Sequence, residues 1–321
     1  MSDHKEAKSF SRFGYIMVAA GAAIGLGNIW KFPYLAYGDG GGAFVLIYIV
    51  ICILLGHPIV QAEQAVGRRG RASAAASYGV IHPKWRFVGV INIVCTFLID
   101  IYYLVVSGWV LKYFVTYVVS GDFGKDKQAY FDNYISSTTQ PLIYSLIIIA
   151  IIVFFLFFGI TNIVEKASKV IMPMLAVLLL VCGIYALIVV PGAVDGLKYY
   201  FVPDFSKFGM QQFADACMQV CFSVGIGWGI FTTLGASMDK DANLKADAWW
   251  VDICDTFIAL LAGFVIIPTV VGTGSEMSSG PSLVFVAMTQ IFETLPGGRI
   301  IGIFLLRIFD FCGYFNILYD S

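Results

Sequence analysis

Apolar runs of about 20 residues recur along almost the whole chain. A helix of that length crosses a bilayer core of about 30 Å. Inside such a core every backbone amide and carbonyl must find a partner within the protein, and an α-helix achieves this along its whole length. The chain is therefore expected to be an all-α membrane protein. Composition agrees: of 321 residues, 59% are apolar and 13% charged, with a mean hydropathy of +0.83. Soluble domains carry about 45–50% apolar and about 25% charged residues. The net charge of −1 argues against nucleic-acid binding. Three histidines offer no metal cluster, and no nucleophile–base pair stands out, so the chain does not read as an enzyme. Seven cysteines fall inside apolar runs without CxxC spacing and read as packing residues. The charged start (His4, Lys5, Lys8, Arg12) precedes a run that continues to Pro33 without a small-residue cleavage site, so no cleavable signal is expected.

Seven spans are predicted near 13–37, 43–66, 87–118, 142–158, 168–191, 209–237 and 247–273, with an eighth apolar stretch from about 298. Most connections are short, which makes 1–321 one transmembrane domain. The longer ones lie near 119–141 and 274–297, and the second has the pattern of a short helix outside the bilayer. With the N-terminus in the cytoplasm, twelve Lys and Arg fall on the cytoplasmic side and five on the outer side. That asymmetry predicts an N-inside, multi-pass protein of the cytoplasmic membrane.

The first span is built to be interrupted. Gly21, Gly25 and Gly27 precede Asn28 within eight residues, and each glycine costs a helix interior roughly 1 kcal/mol. Close packing through small residues would use the spacing of Gly21 and Gly25. A helix unwound over Gly21–Asn28 would use all three, and its freed backbone must line a cavity or meet a ligand. Span six repeats the device in Ser223-Val224-Gly225-Ile226-Gly227-Trp228-Gly229. Two interrupted spans in corresponding positions point to a transporter's binding site, and the odd number of spans between the starts of the halves makes the second half inverted. The halves are 1–191, five spans, and 209–321, an incomplete counterpart. Broken helices offer amides to a carboxylate and carbonyls to a cation. An amino-acid zwitterion presents both charges, and a hard cation such as sodium takes a cage of oxygens.

Gly25-Leu26-Gly27-Asn28-Ile29-Trp30-Lys31-Phe32-Pro33-Tyr34, then Gly40-Gly41-Gly42-Ala43-Phe44, resembles the neurotransmitter:sodium symporter family. Gly56-His57-Pro58, Glu63, Gly67-Arg68, Tyr102-Tyr103, Trp109, Lys166-Ala167-Ser168-Lys169 and Pro173 extend the resemblance over about residues 10–306. It implies a leucine-transporter-like inverted-repeat fold, with about seven full transmembrane helices plus a partial eighth, and helices one and six unwound mid-membrane. It implies sodium-coupled symport of an amino acid by alternating access. The first sodium site would use the Ala23 carbonyl, Asn28, Ser223 and Asp255, where the family more often has Asn. A purely structural role stays open for each: Asn28 capping the broken helix, Ser223 bonding a carbonyl one turn back, Asp255 pairing with another buried group. An intramembrane carboxylate such as Asp255 is costly and marks function. Chloride-dependent relatives carry Ser one turn after this position. Ala259 stands there, so chloride is not expected to be required.

The resemblance builds a substrate pocket from Ala23, Leu26, Gly27, Ile99, Tyr103, Phe222, Ser223, Gly225 and Trp228. Tyr103 would donate to the substrate carboxylate, and Phe222 would close over the substrate. Gly225 and Trp228 suggest a hydrophobic or aromatic amino acid. Glu63 would brace the freed amides of span six, or else pair with Arg68. Lys31 takes the outer-gate position where Arg is usual, although it cannot reproduce the bidentate contact. Asp100 matches no family function. A complete family member binds two sodium ions. Here the second site would keep the carbonyls of Gly21 and Ile24 only, because Arg307–Ser321 lacks the expected Ser/Thr pair and carries Arg307 and Asp310. That reading predicts a truncated or frame-shifted product. The alternatives to a symporter are a non-transporting amino-acid-binding membrane subunit or sensor, and an inert fragment.

Overall fold

The computed structural model describes residues 11–25, 27–157, 161–239, 241–274, 280, 282–294, 298–300, 302–304 and 306–307. The helices are α1 (Arg12–Ala23), α2 (Phe32–Gly38), α3 (Gly42–Ile51), α4 (His57–Gly70), α5 (Ala74–Ile81), α6 (Arg86–Val119) and α7 (Lys127–Ser136). They continue with α8 (Thr139–Phe157), α9 (Thr161–Val189), α10 (Ala193–Phe201), α11 (Met210–Val224), α12 (Ile230–Ala236), α13 (Leu244–Thr273) and α14 (Thr289–Thr294). Among the described residues the only β pairing is an isolated bridge between Gly41 and Pro203.

Among the described residues four continuous stretches are long and apolar enough to cross a membrane: Gly42–Gly70, Pro83–Val119, Glu165–Val189 and Leu244–Thr273. Two bent pairs meet the same criterion, Arg12–Ala23 with Gly27–Gly38 at 61°, and Lys127–Ser136 with Thr139–Phe154 at 77°. They correspond to predicted spans one to five and seven. Span six is α11 and α12, divided at Gly225–Gly229. The outer connection expected at 119–141 contains α7. The one near 274–297 contains the expected short helix, as a π-helical turn (Leu283–Met288) running into α14. Of the terminal stretch, residues 308–321 lie outside the described residues.

The break in span one is narrower than the sequence suggested. Ser11 caps α1, its hydroxyl accepting from the Gly14 amide at 3.1 Å, and the helix continues through Gly21 to Ala23. Gly21 is a packing residue: a Cβ there would stand 3.4 Å from Met172 Cε on α9. The backbone departs at Ile24, with φ −70° and ψ 94°. It resumes as a π-helical turn over Gly27–Lys31 and then as α2. Pro33 sits in the first turn of α2, where its missing amide costs nothing.

The break in span six matches its glycines. Gly225, Gly227 and Gly229 have φ of 77°, 82° and 80°, a region open to glycine and costly for residues with a Cβ. Their alternation explains why three glycines fall within five residues. Beyond the break, α12 lies tight against α4. A Cβ on Gly67 would run into the Thr232 carbonyl, and one on Gly235 into the Gln64 carbonyl. Small residues on both helices thus let two backbones meet. The 30-residue α13 is buried along its length and packs on α1, α2, α4, α9 and α10, and its Asp255 reaches the first break.

The α4–α12 crossing yields a direct test. Gly67→Ala places a methyl group on the Thr232 carbonyl and should cost about 1–3 kcal/mol. The thermal midpoint of the purified protein in detergent should fall by several degrees, while Gly38→Ala, with open space around it, should leave it unchanged.

Candidate functional site

Three polar side chains from three helical segments meet in the buried centre. Asp255 and Asn28 are fully buried and Ser223 nearly so. Asn28 Nδ2 donates to Asp255 Oδ1 at 2.7 Å and to the Asp255 carbonyl at 3.2 Å. Ser223 Oγ donates to Asp255 Oδ2 at 3.0 Å. The Gly25 amide donates to Asn28 Oδ1 at 3.2 Å instead of turning back to the Gly21 carbonyl. Asn28 therefore both caps the broken helix and reaches Asp255. Ser223 does not bond one turn back. The Asp255 carboxylate is thus met by the Asn28 amide nitrogen and the Ser223 hydroxyl, while Asn28 Oδ1 is turned to the Gly25 amide.

The second break is held by different groups. Glu63 Oε1 accepts from the Gly227 amide at 2.8 Å. Arg68, the other partner considered for Glu63, donates to the Ala242 carbonyl at 2.8 Å. Thr96 Oγ1 donates to the Trp228 carbonyl. With its amide turned to suit its neighbours, Asn92 donates to the Gly227 carbonyl at 3.1 Å. Gln219 ties the two breaks together, its Nε2 donating to the Gly27 carbonyl at 3.2 Å.

Of the predicted pocket residues, Phe222 and Trp228 lie together at the breaks. Phe222 covers the first one: a Cβ on Gly27 would lie 2.6 Å from Phe222 Cε1. The Phe222 ring meets Trp228 edge-on, with centroids 5.4 Å apart, and Lys31 Nζ stands 4.3 Å from the Phe222 centroid. Lys31 thus faces the Phe222 ring. Nearby, burial and the Asp215 carboxylate push the Asp39 carboxyl up to about 6. Tyr103 is buried on α6, and Ile99, one turn earlier, is half-buried against the core. Ala23 and Ile24 end α1, and Ala259 is buried one turn beyond Asp255. Leu26 lies outside the described residues. Asp100 is half-buried, and its Oδ1 has no partner among the described residues.

Sequence reasoning missed Gln219, Thr96 and a second carboxylate, Asp252. Gln219 lies four residues before Ser223 on the same face of α11, and Asp252 three before Asp255 on α13, so helical periodicity would have found both. His57 Nδ1 lies 2.8 Å from Asp252 Oδ2, both side chains buried. The His57 ring stacks on Trp249 at 3.9 Å. Asp252 Oδ1 has no partner among the described residues. No group of three His, Cys, Asp or Glu able to hold a metal ion occurs among the described residues.

A model of the sodium:neurotransmitter symporter family matches residues 7–121 and 131–313. The chain is 34% identical over 316 residues to an uncharacterized sodium-dependent transporter, YhdH, of Bacillus subtilis, covering 97% of this chain and 70% of that one. It is 33% identical over 308 residues to an uncharacterized sodium-dependent transporter of Haemophilus influenzae, covering 91% and 67%. The crystal structure of MhsT in complex with L-phenylalanine superposes with a TM-score of 0.91 at 33% identity, covering 98% of this chain and 73% of that chain. The likeness in fold and sequence bears out the leucine-transporter-like architecture.

The His57–Asp252 pair should couple energetically. Asp252→Leu strands His57 and His57→Leu strands Asp252, and each should cost about 3 kcal/mol, as removal of one partner of a buried pair does. The double variant His57→Leu, Asp252→Leu should lose less than the two single changes combined. Thermal midpoints of the three variants check this; strictly additive losses would show that the two side chains do not interact.

Proposed function

The chain belongs to the sodium:neurotransmitter symporter family, and from that membership we propose that it carries an amino acid across the cytoplasmic membrane together with sodium. The observation that carries the reading is the Asn28–Ser223–Asp255 cluster, set where two broken helices meet. A buried carboxylate held by two neutral donors keeps a demand for positive charge, and sodium supplies it. The ion is cargo here, and the gradient it descends drives the symport. The Ala23 carbonyl, Asn28, Ser223 and Asp255 form the first sodium site. Gly21 and Ile24 carbonyls contribute to a second, since the Gly25 amide turns to Asn28 and leaves the Gly21 carbonyl without its helical donor. The N-terminus faces the cytoplasm, in keeping with the twelve-to-five distribution of Lys and Arg.

The substrate lies between the breaks. Its ammonium group meets carbonyls at the end of α1, and its carboxylate meets freed amides and the Tyr103 hydroxyl. Phe222, already lying on Gly27, closes over it. Gly225 leaves room for a side chain that Trp228 then borders, which favours a hydrophobic or aromatic amino acid. The phenylalanine in the MhsT complex supports the same class. Glu63 stabilises the amide of Gly227 and positions the second break without touching substrate. Asp255 brings its own negative charge and Ala259 has no hydroxyl, so chloride is not needed.

Uptake of labelled L-phenylalanine into proteoliposomes tests this. It should require an inward sodium gradient and should proceed equally with gluconate in place of chloride. Hydrophobic and aromatic amino acids should compete better than Gly or Ala. Asp255→Asn should raise the half-saturating sodium concentration about tenfold, which corresponds to about 1.4 kcal/mol. Sodium-dependent binding without uptake would instead favour a binding subunit or sensor.

A further inference from the structure

Away from the broken helices, α4 presents a second constructed surface. Pro58, Gln61, Ala62, Ala65 and Arg68 recur at intervals of three and four, so they share one face of the helix. That face is one wall of a groove of about 610 Å³, and Ala242–Lys245, leading into α13, form the other. Pro58, Ala62 and Ala65 are exposed, and their small side chains leave a trough that runs along the apolar surface of the span. The exposed Leu54 and Trp250 mark that surface as lipid-facing.

The groove changes character at one end. Arg68 lies where α4 runs out into Arg69, Gly70 and Arg71. Its Nη1 donates to the Ala242 carbonyl at 2.8 Å. That bond fixes the guanidinium at the mouth of the groove and leaves other N–H groups to donate. Lys245 is exposed on the facing wall. The acids nearest in sequence, Asp241 and Asp247, do not line the groove, and Asp247 is neutralised by Arg12 at 2.8 Å. Two cations, one of them anchored, thus stand beside a trough whose α4 wall is Pro58, Ala62 and Ala65, with Gln61 the polar residue among them.

We propose that this groove binds an anionic phospholipid, its phosphate between Arg68 and Lys245 and one acyl chain over Ala62 and Ala65. Charge complementarity selects an anionic head group, as it does wherever Lys and Arg cluster at a membrane surface. The trough selects a lipid over a soluble anion, because a free phosphate would make no use of the apolar wall.

Retention of added lipid by the purified full chain, counted by native mass spectrometry, tests the proposal. Phosphatidylglycerol should be retained at least about fivefold more than phosphatidylcholine. Arg68→Gln with Lys245→Gln should bring the two to equal retention. Ala65→Phe fills the trough with both charges intact and should cut phosphatidylglycerol retention by a similar factor. It also serves if loss of the Arg68–Ala242 bond prevents folding. Equal retention of the two lipids by the unaltered chain would overturn the proposal. So would full phosphatidylglycerol retention in Ala65→Phe, or inorganic phosphate displacing phosphatidylglycerol at equal concentration, which would mark a site for soluble anions.

Discussion

A membrane interior does not forgive an unpaired backbone group, and the structure is organised around two places where the chain accepts that cost. Each break frees amides and carbonyls that water cannot reach, at a penalty of several kcal/mol per unsatisfied group. The groups that answer them are specific. Asn28 takes the Gly25 amide, Glu63 the Gly227 amide, Thr96 the Trp228 carbonyl and Gln219 the Gly27 carbonyl. All four side chains are buried, where a polar group is costly unless it is bonded. Their polarity is explained by the breaks, and the breaks by what the remaining free groups can bind.

The two carboxylates on α13 show how placement decides role. Among the described residues Asp255 accepts from two neutral side chains, Asn28 and Ser223. Asp252, one turn earlier, faces an imidazole that can share a proton with it. The first arrangement joins α13 to α11 and to the turn after α1. The second joins α4 to α13 with no outside charge. A sequence listing two acidic residues three apart in one span does not distinguish them, because the distinction lies in which neighbouring helix each one faces.

What could be read from the sequence follows from the same physics. Length and hydropathy locate the spans, since a bilayer imposes one dimension on every crossing helix. Clustered glycines locate the breaks, since glycine is costly in a helix and cheap at positive φ. The Asn28–Ser223–Asp255 grouping was also legible, through resemblance at each of the three positions. The exact edge of the first break was not. Gly21 belongs to the same cluster but packs against Met172, and only the neighbouring helix separates a packing glycine from an unwinding one. The Gly67–Gly235 crossing, the Gln219 tie and the His57–Asp252 pair were hidden for that reason. Each joins residues more than 160 positions apart, and local pattern carries no record of which faces meet.

The supports of the two breaks also differ in origin, and this bears on how the site could work. The first break is held from α13 through Asp255 and from α11 through Gln219. The second is held from α4 and α6 through Glu63 and Thr96. Ser223 and Gln219, on the last two turns of α11, are the residues that bridge these sets. Asp255 thus joins α13 to α11 and to the turn after α1, whereas Glu63 and Thr96 keep the turn after α11 fixed to α4 and α6. An ion that binds one arrangement of these helices better than another shifts the balance between them by its difference in affinity and no more.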